Sequence, residues 1–101
     1  MSTRRLPAVV LPPEGDLHVV QAGDRPVAVT VVDGQVYAFD ALCTHAQCSL
    51  SEGDIDGKSV VCPCHFGRFD ITSGAVLGGP PKAPLRTYPA RVVGGALELD
   101  I

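Results

Sequence analysis

Sequences typical of tight turns recur at close spacing along the chain, and they limit its possible folds more than any other feature. Eleven glycines and nine prolines occur among 101 residues, many of them between short runs of β-forming composition. No stretch of about 12 residues combines a helical apolar period with capping residues, so no long helix is expected. The sequence predicts an all-β fold, a small antiparallel β-sandwich or barrel. Turns are expected at Asp33-Gly34, Asp56-Gly57-Lys58, Thr72-Ser73-Gly74 and Gly94-Gly95.

The runs between these turns predict the strands of one domain, residues 1–101. A chain of this length can bury one modest core, and 46% hydrophobic against 19% charged residues excludes a disordered protein. The net charge of −3 argues against a surface for nucleic acid or an anionic membrane. Strands are expected at Leu6–Leu11, Leu17–Gln21, Pro26–Val32, Gln35–Asp40, Ser59–Cys62, Phe69–Ile71, Ala75–Leu77, Arg86–Val93 and Ala96–Ile101.

Arg4-Arg5 and the apolar run Leu6–Leu11 have some likeness to an export signal. A signal peptide needs an apolar stretch of roughly 7–15 residues, whereas this run has six residues and is followed by Pro12-Pro13. We therefore expect a soluble cytoplasmic protein. In a reducing cytosol, cysteines are more often ligands or redox groups than structural bridges.

Cysteine and histidine are concentrated in or directly beside two uncharged segments, Ala41–Ser51 and Pro63–Gly67. They form two mixed pairs, Cys43-x-His45 and Cys62-x-x-His65. Thiolate and imidazole are the ligands that iron–sulfur and zinc sites prefer. Sixteen residues separate the two pairs, which is the length of a hairpin that returns the second pair beside the first. Two loops on adjacent strands could then hold one inorganic centre.

A structural zinc site is the main alternative for these residues. Zinc pairs are usually homogeneous, of the forms Cys-x₂₋₄-Cys and His-x₃₋₅-His, so the mixed pairs suit two irons of different ligation better. A purely disulfide-bonded scaffold would leave both histidines unexplained. His18 lies in an N-terminal strand without a partner in the sequence, and we interpret it as an ordinary surface or edge histidine.

The paired motif resembles the signature of Rieske iron–sulfur proteins, in which two Cys bind one iron of a [2Fe–2S] cluster and two His bind the other. The resemblance is strongest from Ala28 to Ile101 and includes the glycine- and proline-rich loop Gly78–Pro84. It implies a Rieske-type fold with a cluster-binding subdomain at about 41–84.

The resemblance also implies a role for each residue of the two pairs. Cys43 and Cys62 would bind the buried iron, and His45 and His65 would bind the iron near the surface. Electrons would then enter and leave through the two histidines.

For four further residues, only the resemblance implies a role. Cysteines at the positions of Cys48 and Cys64 form a disulfide in cytochrome-complex Rieske proteins; we expect that bridge here, and two buried free thiols are the alternative. High-potential relatives carry a Ser and a Tyr at the positions of Gly67 and Phe69, and their hydroxyls donate hydrogen bonds to sulfur. The chain therefore resembles the lower-potential ferredoxin group.

The family context implies a monomeric electron carrier that is not itself an enzyme. It would pass single electrons from an NAD(P)H-dependent flavoprotein reductase to a terminal aromatic-ring-hydroxylating dioxygenase, both bound transiently. The small subunit of a nitrite reductase and a zinc-stabilised interaction domain remain alternatives. Partners would dock on an almost uncharged face around the two histidines, with Glu52, Asp54 and Asp56 at its rim. The residues of that face are Ala46, Gln47, Phe66, Leu77, Pro80 and Pro81.

Overall fold

The computed structural model describes residues 3–6, 11–22, 25–42, 49–50, 53–63, 67–79 and 83–100. Within these ranges the chain forms eleven strands in three antiparallel sheets and no α-helix, which confirms the predicted fold class. None of the described residues forms a helix long and apolar enough to cross a membrane. The strands are β1 (Thr3–Leu6), β2 (Leu17–Ala22), β3 (Arg25–Val32), β4 (Gln35–Asp40), β5 (Asp54–Asp56), β6 (Ser59–Val61), β7 (Arg68–Asp70), β8 (Val76–Gly78), β9 (Thr87–Tyr88), β10 (Ala90–Val93) and β11 (Ala96–Asp100).

The strands divide among the three sheets in the orders β1-β11-β10, β2-β3-β4-β9 and β5-β6-β7-β8. All four predicted turns connect neighbouring strands, as expected. In the β3–β4 turn both Asp33 (φ +54°) and Gly34 (φ +76°) adopt the left-handed conformation that a two-residue hairpin requires. His18 is exposed on β2, an edge strand, which confirms the sequence interpretation.

The predicted strand Arg86–Val93 is instead two strands that belong to different sheets. β9 pairs with β4, whereas β10 pairs with β11, and the change of sheet occurs at Pro89. Proline has no N–H to donate, so a strand can be interrupted there without losing a ladder bond. The carbonyl of Pro89 still accepts a hydrogen bond from the Asp100 N–H (3.0 Å).

The first strand begins earlier than the predicted run Leu6–Leu11, and only the two ends of that run are described. β1 ends at Leu6 and includes Arg4-Arg5, which pair with Leu99 and Glu98 of β11. The Arg5 guanidinium lies 2.9 Å from the Glu98 carboxylate, so a cross-strand charge pair accompanies the pairing of β1 with β11. Residues 7–10 of the predicted run lie outside the described residues.

β3 lies between two apolar clusters and is buried on both faces. Val27 and Val29 pack into a cluster with β11, while Ala28 and Val32 pack into a second cluster with β6 and β7. Successive side chains of a strand point to opposite faces, so one continuous apolar run serves both clusters. The second cluster supports the region where the predicted ligand motifs begin and end.

Candidate metal centre

The two ends of the first predicted ligand loop are held side by side. Leu42 and Ser49 form an isolated antiparallel bridge, and the Leu50 N–H donates to the Ala41 carbonyl (2.7 Å). The Ala41 N–H in turn donates to the Pro26 carbonyl (3.3 Å) at the start of β3. Both Ala41 and Leu50 are buried in the cluster shared with β6 and β7. The chain at residues 43–48 therefore leaves and returns at one point of the core.

The second ligand loop is closed in the same way by the β6–β7 hairpin. Val61 pairs with Arg68, and one residue further the Cys62 N–H donates to the Gly67 carbonyl (2.7 Å). Cys62 is 1% exposed and its thiol forms no disulfide. It thus stands at the end of β6, where a buried thiol is available as a ligand.

The bases of the two loops are neighbours, which confirms the hairpin predicted between the two ligand pairs. β5 and β6 form that hairpin, with Asp54 opposite Val61. The Gly53 N–H, just before β5, donates to the Leu50 carbonyl (2.9 Å) at the exit of the first loop. Leu50 and Cys62 also belong to one buried cluster.

The glycine- and proline-rich segment is anchored at both ends beside this region. Gly78 pairs with Arg68 in β8, so the strand includes the first residue of the predicted loop. At the far end, Leu85 is buried and its N–H donates to the Gly74 carbonyl (2.8 Å). The segment from 79 to 84 therefore starts and finishes against the sheet that carries Cys62.

A polar network below the first loop had not been predicted from the sequence. The Tyr88 hydroxyl donates to the Asp40 carboxylate, and Arg25 Nη1 donates to the Tyr88 hydroxyl (3.0 Å). Burial, followed by the hydrogen bond to Asp40, raises the pKa of Tyr88 above its usual value of 10.0. The network ties together the start of β3, the end of β4 and β9. The sequence signal for it was the charged residue Asp40, three positions before the first predicted ligand, Cys43.

Arg68 follows the second loop closely, but its charge is directed away from Cys62. Its Nη1 lies 3.0 Å from the Asp56 carboxylate and 2.7 Å from the Ser59 hydroxyl, both at the β5–β6 turn. Ser59 is the first residue of β6 and Cys62 directly follows its last, so the two are about 10 Å apart at the usual rise per residue. The guanidinium is therefore paired with an opposite charge at the far end of the hairpin.

Two of the twelve predicted site residues lie within the described ranges. Cys62 is buried at the end of β6, and Leu77 is exposed on β8. Leu42, directly before the first motif, is a second exposed apolar side chain that had not been predicted. The other predicted residues lie outside the described residues: Cys43, His45, Ala46, Gln47, Cys48, Cys64, His65, Phe66, Pro80 and Pro81.

The sequence matches the Rieske [2Fe–2S] domain over residues 6–89, which is most of the chain. The chain therefore belongs to the Rieske [2Fe–2S] family, as the resemblance of its motifs implied.

Similar proteins narrow the comparison within that family. The chain is 37% identical to the ferredoxin component of the naphthalene 1,2-dioxygenase system of Pseudomonas aeruginosa, covering 88% of this chain and 86% of the relative. It superimposes with a TM-score of 0.81 on a chain of the complex of reduced oxygenase and oxidized ferredoxin in carbazole 1,9a-dioxygenase, at 32% identity, covering 98% of this chain and 100% of that one.

A structure described as the putative small subunit of an NADH-dependent nitrite reductase from Mycobacterium tuberculosis shares the same fold. Its TM-score is 0.82 at 24% identity, with 98% of this chain and 96% of that chain covered. At this identity the likeness extends to the fold alone.

The described part of the molecule fits the cofactor of the family. Iron–sulfur clusters are held by thiolates, and the buried, unbridged thiol of Cys62 stands where the two loops meet. The described ranges contain one of the four predicted ligands, and within them no group of three or more His, Cys, Asp or Glu side chains could hold a metal ion.

Proposed function

We propose that this protein is the ferredoxin component of an aromatic-ring-hydroxylating dioxygenase system. It carries single electrons from an NAD(P)H-dependent flavoprotein reductase to a terminal oxygenase and does not itself act on the aromatic substrate. The observation that carries the proposal is identity of 35–41% to several such ferredoxin components over most of the chain. The nitrite reductase subunit shares only the fold and therefore gives no comparable support.

The proposed cofactor site consists of the two mixed pairs in the loops. Cys43 and Cys62 hold one iron, and His45 and His65 hold the other, within a cluster-binding part at about 41–84. When bound, such a cluster accepts and releases one electron, with a potential above that of an all-cysteine cluster. Cys48 and Cys64 are proposed to form a disulfide between the loops.

The proposed docking face surrounds the two ligand histidines. Two apolar side chains beside the histidine-carrying loops are exposed: Leu42 is 40% exposed and Leu77 is 54% exposed. An apolar contact of modest area suits a transient complex, with an interface below about 1,200 Å². Asp54 is exposed on the neighbouring β5 and can steer a partner without adding much affinity.

Electron transfer tests the proposed function directly. The purified chain is combined with an NADH-dependent flavoprotein reductase and the oxygenase of a naphthalene 1,2-dioxygenase system, and formation of the dihydrodiol is measured. We expect product only when the chain is present. The proposal would be contradicted if the reduced chain passed electrons to the large subunit of a nitrite reductase and none to the oxygenase. A colourless protein that contains zinc would contradict it as well.

Single substitutions test the proposed ligand set. Loss of any ligand should remove iron and visible absorbance, whereas loss of a disulfide cysteine should leave both, because a bridge contributes only about 2–4 kcal/mol of loop constraint. His18→Ala is the matched control, since this exposed histidine lies outside the loops. An iron-free Cys48→Ala protein would show that Cys48 is a ligand. The variants are Cys43→Ala, His45→Ala, Cys62→Ala, His65→Ala, Cys48→Ala and Cys64→Ala.

The docking face is tested by placing charge on it. Leu77→Glu should slow electron transfer to the oxygenase because it adds a charge to the apolar contact. Val92→Glu is the control, since Val92 is also an exposed apolar residue but belongs to β10 in another sheet. Equal transfer rates for the two variants would contradict the docking face.

A further inference from the structure

We infer that Gly53 is a positioning residue that sets the distance between the two ligand loops. The inference rests on the proposed function, because it assigns Gly53 a role toward the cluster held by those loops. Gly53 itself carries no ligand atom. Its role would be to let the base of the first loop, at Leu50, lie close to the strand that leads into the second loop, at Val61.

The space around Gly53 is too small for any side chain. A Cβ atom at this position would lie 2.5 Å from the carbonyl oxygen of Val61 and 3.1 Å from that of Leu50. Both neighbours are backbone atoms, which cannot rotate away as the end of a flexible side chain can. Gly53 has no left-handed φ, so the need for glycine here is steric and not conformational.

The two backbone groups that surround Gly53 belong to the two loop bases. Leu50 is the buried residue through which the first loop re-enters the core, by its hydrogen bond to Ala41. Val61 is the last residue of β6 and immediately precedes Cys62. Continuing the β5–β6 register by one residue beyond the Asp54–Val61 pair places Gly53 opposite Cys62 itself.

An added methyl group must therefore separate the two loop bases or tilt one of them. Neither base can yield freely, because Leu50 and Cys62 are both buried in the same cluster. A displacement of Val61 is transmitted directly to Cys62 through one peptide bond. The cluster requires its ligands at fixed separations, so the added methyl group should change its electronic environment and weaken its retention.

Gly53→Ala is the test, and Gly78→Ala is its matched control. Gly78 ends β8 in the sheet that Gly53 immediately precedes, also lacks a left-handed φ, and has no atom of the described residues within 4 Å of a Cβ placed on it. The readouts are the electron paramagnetic resonance g values of the reduced cluster, the reduction potential, and the rate of iron loss to a chelator. Spectra are recorded on whole cells as well as on purified protein, so that an unstable variant is still scored.

We expect Gly53→Ala to shift the g values and to lose iron faster, by about 10–100 times if an affinity loss of the size seen when outer-shell groups are changed appears in the rate of iron loss. Gly78→Ala should match the unsubstituted protein in both. Equal behaviour of the two variants would overturn the inference, and so would a Gly53→Ala chain found only as insoluble material. If the unsubstituted protein shows no [2Fe–2S] signal, it is the proposed function that fails.

Discussion

Substituting Gly74 by alanine should destabilise the protein through the anchor of the proline-rich segment. Gly74 has a φ of +81°, and an added Cβ would lie 2.0 Å from the carbonyl oxygen of Leu85. That same Leu85 donates its N–H to the Gly74 carbonyl, which closes the base of the segment 79–84. The substitution therefore combines backbone strain with a backbone clash.

Gly95→Ala is the matched variant that separates the backbone strain from the clash. Its φ of +79° is nearly the same, but nothing in the described residues lies within 4 Å of a Cβ placed there. Alanine in the left-handed conformation costs about 1–2 kcal/mol, which is the whole expected effect of Gly95→Ala. Overpacking adds about 1–3 kcal/mol, so Gly74→Ala should cost roughly 2–5 kcal/mol.

The assay is the rate of unfolding in urea, followed by circular dichroism, because a bound cofactor makes reversible two-state unfolding a poor assumption. The difference of about 1–3 kcal/mol corresponds to a factor of roughly 5–150 if it appears entirely in the unfolding rate. A partly formed contact in the folding transition state reduces this factor. Equal unfolding rates for the Gly74→Ala and Gly95→Ala proteins would refute the proposed clash.

Three further predictions concern the potential, the alkaline limit of stability and one turn. The reduction potential of the unsubstituted protein should lie in the lower part of the Rieske range of about −150 to +300 mV. Phe69→Tyr or Gly67→Ser should raise that potential in voltammetry, because each adds a hydroxyl that can donate to sulfur. A value near +300 mV for the unsubstituted protein would contradict the ferredoxin assignment. Because the pKa of Tyr88 is raised in the folded protein, the contribution of its neutral hydroxyl to stability is complete below pH 10 and is lost as pH rises through the folded-state pKa. Tyr88→Phe should therefore make stability fall less steeply with pH in the alkaline range, and Tyr37→Phe is the control. Glu14→Ala should speed unfolding in urea by an amount that corresponds to about 1–2 kcal/mol, since the Glu14 carboxylate accepts two N–H donors of the β3–β4 turn at 2.7 and 3.3 Å; an unchanged unfolding rate would contradict this.

Local sequence chemistry was sufficient for the hairpins and for the family. Asp33-Gly34 and Gly94-Gly95 specify tight turns because their backbone preferences act within a few residues. The mixed Cys/His pairs indicated the family for a similar reason, since metal ligands must be particular residue types at short spacings. These properties depend on neighbours in the chain and can be recognised without a fold.

The division of the run Arg86–Val93 between two sheets was decided only by the tertiary structure. Pro89 marks a point where the run can be interrupted, but the sheet that each part joins depends on which distant strand lies beside it. The Tyr88 network has the same origin, because it joins side chains 48 and 63 residues apart. The crowding at Gly53 arises over a shorter stretch of chain, but it too depends on how the backbone folds back between Leu50 and the β5–β6 hairpin. The sequence by itself thus predicted the residue types and positions of a cluster site, whereas packing decided how closely the bases of the two predicted loops approach each other.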